Sequence, residues 1–152
     1  MLKVNVNYPN KEEEIEIMKR AQTGFNSELA QVLSPETIIQ LRDVVKQVFV
    51  DDKLYGYVAN IVFATRQPEL FGLKELKHLI EFGASPRASI NLIKAAKAHA
   101  FLQGRGYVTP QDIKTIGMDV LRHRVLVSYE AEAQDMTSED IVSKVFDKVD
   151  VP

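Results

Sequence analysis

Residues 83–113 read GASPRASINLIKAAKAHAFLQGRGYVTPQDI, and this stretch decides the fold class. Ser85-Pro86 marks a helix start, because serine caps exposed amides and proline fits the first helical position. The apolar residues after it recur with the 3.6-residue period of a helix, and the alanines among them allow close packing against neighbours. Gly104 ends this helix, and Thr109-Pro110 begins another. The stretch therefore predicts two consecutive helices, over 86–103 and 110–122.

Similar start signals and apolar stripes occur on both sides of this stretch and predict four more helices, over 11–22, 35–49, 52–66 and 138–148. Gly24 is predicted to end the first of them. Leu2, Val4 and Val6 alternate with polar residues, which predicts a short N-terminal strand, and Val125–Tyr129 alternates in the same way. Residues 70–82 suit a helix and a strand equally. The fold class predicted is mainly α: a helical bundle with one short N-terminal strand.

The composition limits the class of protein that this chain can be. The chain has 152 residues, of which 45% are hydrophobic and 26% charged, the balance of an ordinary globular protein. There is no run of eighteen apolar residues, so no transmembrane helix is predicted, and polar residues interrupt the first apolar run too early for a signal peptide. Cysteine is absent, which excludes disulfides, thiolate catalysis and zinc–thiolate sites. These features predict a cytoplasmic protein.

Charge is distributed unevenly along the chain. The net charge is −2, yet residues 74–124 carry nine basic and four acidic side chains, and residues 125–152 carry two basic and seven acidic ones. The basic middle and the acidic tail either neutralise each other in the fold, or the basic stretch faces an anionic ligand such as a nucleotide phosphate. The small net charge and the acidic tail argue against a nucleic-acid partner.

The motifs of a complete ATPase are missing. The chain contains no G-x-x-x-x-G-K-[ST] phosphate loop and no apolar strand ending in paired acids to hold magnesium. The three histidines are too scattered to predict a metal site, and His99 is interpreted as a satisfied core or boundary histidine. We therefore expect no ATP hydrolysis by this chain alone, and no bound cofactor or metal.

Residues 83–88, GASPRA, form a motif whose unusual member is Arg87. A cation in the first turn of a helix opposes the helix dipole, at a cost of roughly 0.3–1 kcal/mol. One interpretation is an exposed arginine whose unfavourable charge is screened by water. The other is an anion clamp, in which the guanidinium and the helix N-terminus formed by Ser85 and Pro86 both point at a phosphate. The residues alone leave both open.

The stretch from Gly83 to Tyr129 resembles the lid of MoxR-family AAA+ ATPases, through GASPRASINLIKAAKAHAFLQGRGYVTPQDI and then VLRHRVLVSYEAEA. The opening MLKVNVNYPNKEEE resembles the segment after the arginine-finger region of that family's core domain. The resemblance implies that Arg87 is the sensor-2 arginine, which contacts nucleotide phosphates from the lid. It also implies that Leu2–Val6 is the last strand of the core sheet, so that residues 1–49 belong to an AAA+ core and residues 50–152 form the lid.

The resemblance also implies a function and its partners. A lid of this family closes over ATP and magnesium held by its own AAA+ core domain, and couples hydrolysis to chaperone-like remodelling of client proteins. The family forms rings, so Arg122 and Arg124 are candidates for a subunit interface. The simpler interpretation of this pair is that two cations suit the C-terminal end of a helix. Two other functions stay open: a stand-alone helical adaptor that binds a partner protein, and a winged-helix DNA binder, which the charge disfavours.

Overall fold

Helices dominate the architecture. The structure, a computed structural model, describes residues 1–23 and 30–152, and over these ranges it contains seven α-helices and two short β-strands. Two 3₁₀ turns, Pro68–Phe71 and Lys74–Leu76, follow the third helix. In chain order the elements are α1 (Lys11–Thr23), α2 (Pro35–Gln47), α3 (Asp52–Ala64), β1 (Ile80–Phe82), α4 (Pro86–Leu102), α5 (Pro110–Leu121), β2 (Leu126–Val127), α6 (Tyr129–Ala133) and α7 (Ser138–Lys148).

Side-chain caps explain where most of the helices begin. Ser34 accepts a hydrogen bond from the amide of Thr37, and Asp51 accepts one from the amide of Lys53. α5 and α7 each begin with a reciprocal capping box, in which a threonine and an aspartate three residues later satisfy each other's amides. All six predicted helices and the mainly α class are confirmed. The predicted end of the first helix at Gly24 lies outside the described residues.

The buried core runs from residue 48 to residue 149 of the described chain. It is built chiefly from one face each of α3, α4, α5 and α7, with the loops between them. α4 and α5 pack as an antiparallel hairpin, and Gly117 of α5 lies so close to Phe146 of α7 that a Cβ would overlap the ring. By contrast, no residue of α2 is buried, and every α1 side chain described is exposed. The largest fully buried side chains are Ile61, Leu76, Leu92, Ile113, Leu121 and Ile141.

The prediction of an N-terminal strand is not met by the structure. Residues 1–10 carry no strand, and Val4 and Val6 are exposed. The amide of Lys3 donates to the carbonyl of Asp119 at the end of α5, at an N–O distance of 2.8 Å. An alternating pattern forms a strand only when another strand supplies the ladder of backbone hydrogen bonds, and the described part of this chain supplies none beside Leu2–Val6.

A small antiparallel sheet resolves the two segments that the sequence left uncertain. β1 pairs with β2, with Ile80 opposite Val127 and Phe82 opposite Leu126. The extended piece predicted over Val125–Tyr129 is thus correct at its centre but wrong at Tyr129, which begins α6. The reason is Ser128, whose hydroxyl donates to the His78 carbonyl (2.6 Å) and accepts from the amide of the third residue of α6.

Candidate functional site

The turn between β1 and α4 is held against the end of α3. Ala84, at the centre of this turn, is fully buried, and its amide donates to Oγ1 of Thr65 at 2.9 Å. Thr65 is itself fully buried and ends α3, and its hydroxyl donates to the carbonyl of Val62 at 2.7 Å. The hydroxyl therefore uses its donor and its acceptor capacity at once, and it joins α3 to a residue nineteen positions later in the chain.

A second residue of α3's end holds the same turn. Nε of Arg66 donates to the carbonyl of Ala84 at 2.6 Å, and the Arg66 guanidinium lies over the ring of Phe63, 5.3 Å from its centroid. Gly83 is needed here because a Cβ at this position would overlap the carbonyl group of Thr65. The backbone of the GASPRA turn is therefore fixed to α3 on both sides of Ala84.

Arg87 projects from this fixed turn into solvent. It lies in the first turn of α4 and is exposed, and its side chain forms no hydrogen bond or ion pair with any other described residue. Ser85 occupies the N-cap position with extended backbone angles (φ −81°, ψ 168°), but its side chain makes no capping hydrogen bond, so this part of the prediction is wrong. The first turn of α4 also lacks an acidic residue. A cation and a helix start without a side-chain cap or an acid thus lie together at the surface.

A buried aspartate holds α4 and α5 together at the opposite end of α4 from this turn. Asp112 is 1% exposed and accepts from the Thr109 amide (2.7 Å), from the Arg105 guanidinium (2.9 Å) and from the Thr109 hydroxyl (2.8 Å). Its other oxygen lies 2.7 Å from Nδ1 of His99. Burial opposes ionisation, but Arg105, the Thr109 amide and His99 outweigh it and hold the pKa of Asp112 well below its usual range. The interpretation of His99 as a satisfied histidine is confirmed.

The structure separates the two arginines considered for a subunit interface. Arg122 is engaged within the chain: its guanidinium pairs with Asp119 (2.9 Å) and Glu139 (3.1 Å), and its Nε reaches the last turn of α5. The Arg124 side chain forms no hydrogen bond or ion pair with the described residues, and its Nε is buried without a partner. Nδ1 of His123 between them is buried and unpartnered as well. Of the two arginines, Arg122 is thus paired within the chain and Arg124 is not, over the described residues.

The sequence did not reveal Thr65 and Arg66. They contact the GASPRA turn across eighteen and nineteen residues of chain, and no motif or periodicity marks them. The available signal was indirect: an unusually small pair, Gly83-Ala84, before a helix start indicates a close backbone approach, but it does not say to what. Over residues 1–23 and 30–152, no group of three or more acidic or histidine side chains is arranged to hold a metal ion. No helix described there is long and apolar enough to cross a membrane.

Comparison with known proteins gives a consistent family. Residues 75–145 match the family model described as the AAA lid domain. The chain is 41% identical to Chaperone MoxR1 of Mycobacterium tuberculosis, an alignment that covers all of this chain and 40% of that protein. It is 31% identical to Protein MoxR of Methylorubrum extorquens, over 64% of this chain and 30% of that protein.

A solved structure supports the same assignment. The crystal structure of a candidate ATPase from Cytophaga hutchinsonii matches all of this chain and 46% of that one, at 36% identity and a TM-score of 0.92. The chain spans less than half the length of the relatives it matches. Both the sequence relatives and the fold lead to one conclusion: this chain belongs to the MoxR family of AAA+ ATPases, and residues 75–145 are its AAA lid domain.

Proposed function

We propose that this domain closes over ATP held by an AAA+ core and that Arg87 contacts the nucleotide phosphates as the sensor-2 arginine. The observation that carries the proposal is the exposed, unpaired guanidinium of Arg87 at a helix start with neither a side-chain cap nor an acid. Such a start favours an anion, because the helix dipole and the guanidinium act in the same direction. The bound nucleotide supplies the phosphates and the reacting bond, and this chain supplies one positive charge at a fixed place.

The chain's own residues fit one part of a nucleotide site and not the rest. Arg87 and the start of α4 suit a phosphate, whereas the described residues contain no carboxylate cluster to hold magnesium. We therefore propose that magnesium and the phosphate loop belong to the core and that the lid adds charge stabilisation when it closes. In this scheme closure and opening of the lid transmit hydrolysis to a client protein, as chaperone-like remodelling.

We propose the division between core and lid near residues 49 and 50. In support, every buried hydrophobic side chain described lies between Val48 and Val149, whereas α1 and α2 have none. Helices with an apolar stripe and no buried residue are typical of elements that pack against another domain. We infer that the partner of α1 and α2 is the AAA+ core of the same protein.

The test of the proposal is removal of the Arg87 charge in the full-length ATPase. We expect Arg87→Ala to lower the turnover number at least about tenfold, because arginine contacts to a transferring phosphoryl group are worth this much or more. The melting temperature should be unchanged or slightly higher, since an unfavourable contact with the helix dipole is removed. The matched control is Lys144→Ala, which removes an exposed cation of α7. Equal turnover in the two variants would refute the role of Arg87.

A further inference from the structure

The contact between the end of α3 and the GASPRA turn fixes the backbone that leads to Arg87. Two hydrogen bonds hold the backbone of Ala84: its amide donates to Thr65, and its carbonyl accepts from Arg66. Ala84 is three positions before Arg87. Because Ala84 is fully buried, its amide and its carbonyl both need partners, and the end of α3 supplies both.

The chain between Ala84 and Arg87 transmits this orientation. Only Ser85 and Pro86 intervene, and the proline ring holds its own φ near −65°. Ala88, on the other side of Arg87, is also fully buried, so the backbone is anchored before and after the arginine. The direction in which the Arg87 side chain leaves the surface is therefore set by the position of Ala84 relative to α3.

We infer that Thr65 and Arg66 are positioning residues, which set the direction of Arg87 toward the phosphates through the backbone of Ala84. This inference rests on the proposed function of Arg87. Neither residue is proposed to touch the nucleotide. A positioning effect of this kind is expected at a phosphate contact, because a displacement of about 1 Å in a reacting group can cost up to about a hundredfold in rate.

The hydroxyl of Thr65 is the feature to test, because it is buried and uses both of its hydrogen-bonding capacities. Thr65→Val keeps the shape but leaves the Ala84 amide without its partner. In the full-length ATPase we expect this variant to lower the turnover number by up to about tenfold, with little change in KM for ATP. Thr65→Ser retains the hydroxyl and should restore turnover. Thr137→Ala, which removes the cap of α7, is the control for lost stability alone.

A double mutant separates positioning from a merely structural role. If Thr65 acts through Arg87, then Thr65→Val should cause no further loss of turnover in the Arg87→Ala background, although the melting temperature should still fall. The inference would be overturned if Thr65→Val lowered turnover by the same factor in the unchanged ATPase and in the Arg87→Ala variant. It would also be overturned if Thr65→Val had normal turnover while Arg87→Ala was slow. Normal turnover of Arg87→Ala alone would instead refute the proposed function, and the inference with it.

A second variant covers the case in which Thr65→Val fails to fold. Arg66 is exposed, so Arg66→Met should fold while it removes the Nε donor to Ala84 and keeps the aliphatic part of the side chain. We expect it to lower turnover several-fold, again only when Arg87 is present. A loss of turnover by Arg66→Met that persists in the Arg87→Ala background would indicate that Arg66 has a role of its own and would overturn the inference for this residue.

Discussion

At the scale of single residues, Asp112 concentrates more interactions than any other charged side chain of α4 and α5. Its carboxylate caps α5, pairs with Arg105 after α4 and contacts His99 within α4. Removal of one partner from a buried charge pair leaves the other uncompensated, which typically costs about 3–5 kcal/mol. Because Arg105 is partly exposed, we expect Asp112→Asn to lower the free energy of unfolding by about 3 kcal/mol, measured by urea denaturation. Asp43→Asn, at an exposed ion pair, should leave it nearly unchanged.

The buried ring of His123 predicts that the folded domain is less stable at acidic pH. Burial, followed by the positive charges of Arg124, Lys3 and Arg122, lowers the pKa of His123 below its ordinary value of 6.5. The unfolded chain then binds the proton more readily than the folded one, so stability is complete above about pH 6.5 and falls as the pH drops below it. We expect urea denaturation at pH 7.5 and 5.5 to show this loss, and His123→Gln to reduce it. An identical pH profile in that variant would contradict the assignment.

At the scale of elements, two helical glycines predict opposite effects of the same substitution. A Cβ at Gly117 of α5 would overlap the ring of Phe146, whereas a Cβ at Gly56 of α3 would meet nothing within 4 Å. We expect Gly117→Ala to destabilise the domain by about 1–3 kcal/mol through overpacking between α5 and α7. Gly56→Ala should stabilise it by about 0.5–1 kcal/mol, since alanine is the better helix former. Melting temperatures that move in the same direction for both variants would contradict this account of the α5–α7 contact.

The elements also show what the sequence could predict. Six helices follow from caps and 3.6-residue stripes, because these signals are local and the helices form their own hydrogen bonds. The strand predicted at Leu2–Val6 fails because a strand depends on a partner elsewhere in the chain. The same limit applies to the site: Arg87 could be identified from its motif, but Thr65 and Arg66 contact the turn across eighteen residues or more. Helix α6 was missed because it is only five residues long.

At the scale of the whole molecule, substitutions of Arg122 and Arg124 should have different effects if the full-length protein forms the ring that its family resemblance implies. Arg122 is paired with Asp119 and Glu139, so Arg122→Glu should lower the melting temperature. The Arg124 side chain is half-buried and forms no ion pair within the described part of the chain, and we propose that a carboxylate of a neighbouring subunit pairs with its guanidinium. Arg124→Glu should therefore lower the mass of the full-length assembly, measured by light scattering at constant protein concentration. If Arg124→Glu left the assembly mass unchanged, the interface role would be refuted, and the simpler interpretation of Arg124 as a cation at a helix C-terminus would stand.

Helix α3 connects the proposed boundary between core and lid to the GASPRA turn. One end lies beside Phe49, which exchanges backbone hydrogen bonds with Gly106 and Val108 near the proposed boundary, and the other end holds the GASPRA turn through Thr65. With 13 residues, α3 is a rigid rod about 20 Å long. A rotation of about 10° around the Phe49 end would carry the Thr65 end by about 3 Å, which is the length of a hydrogen bond. We propose that α3 acts as a lever, so that a small tilt at the proposed boundary makes or breaks the phosphate contact proposed for Arg87.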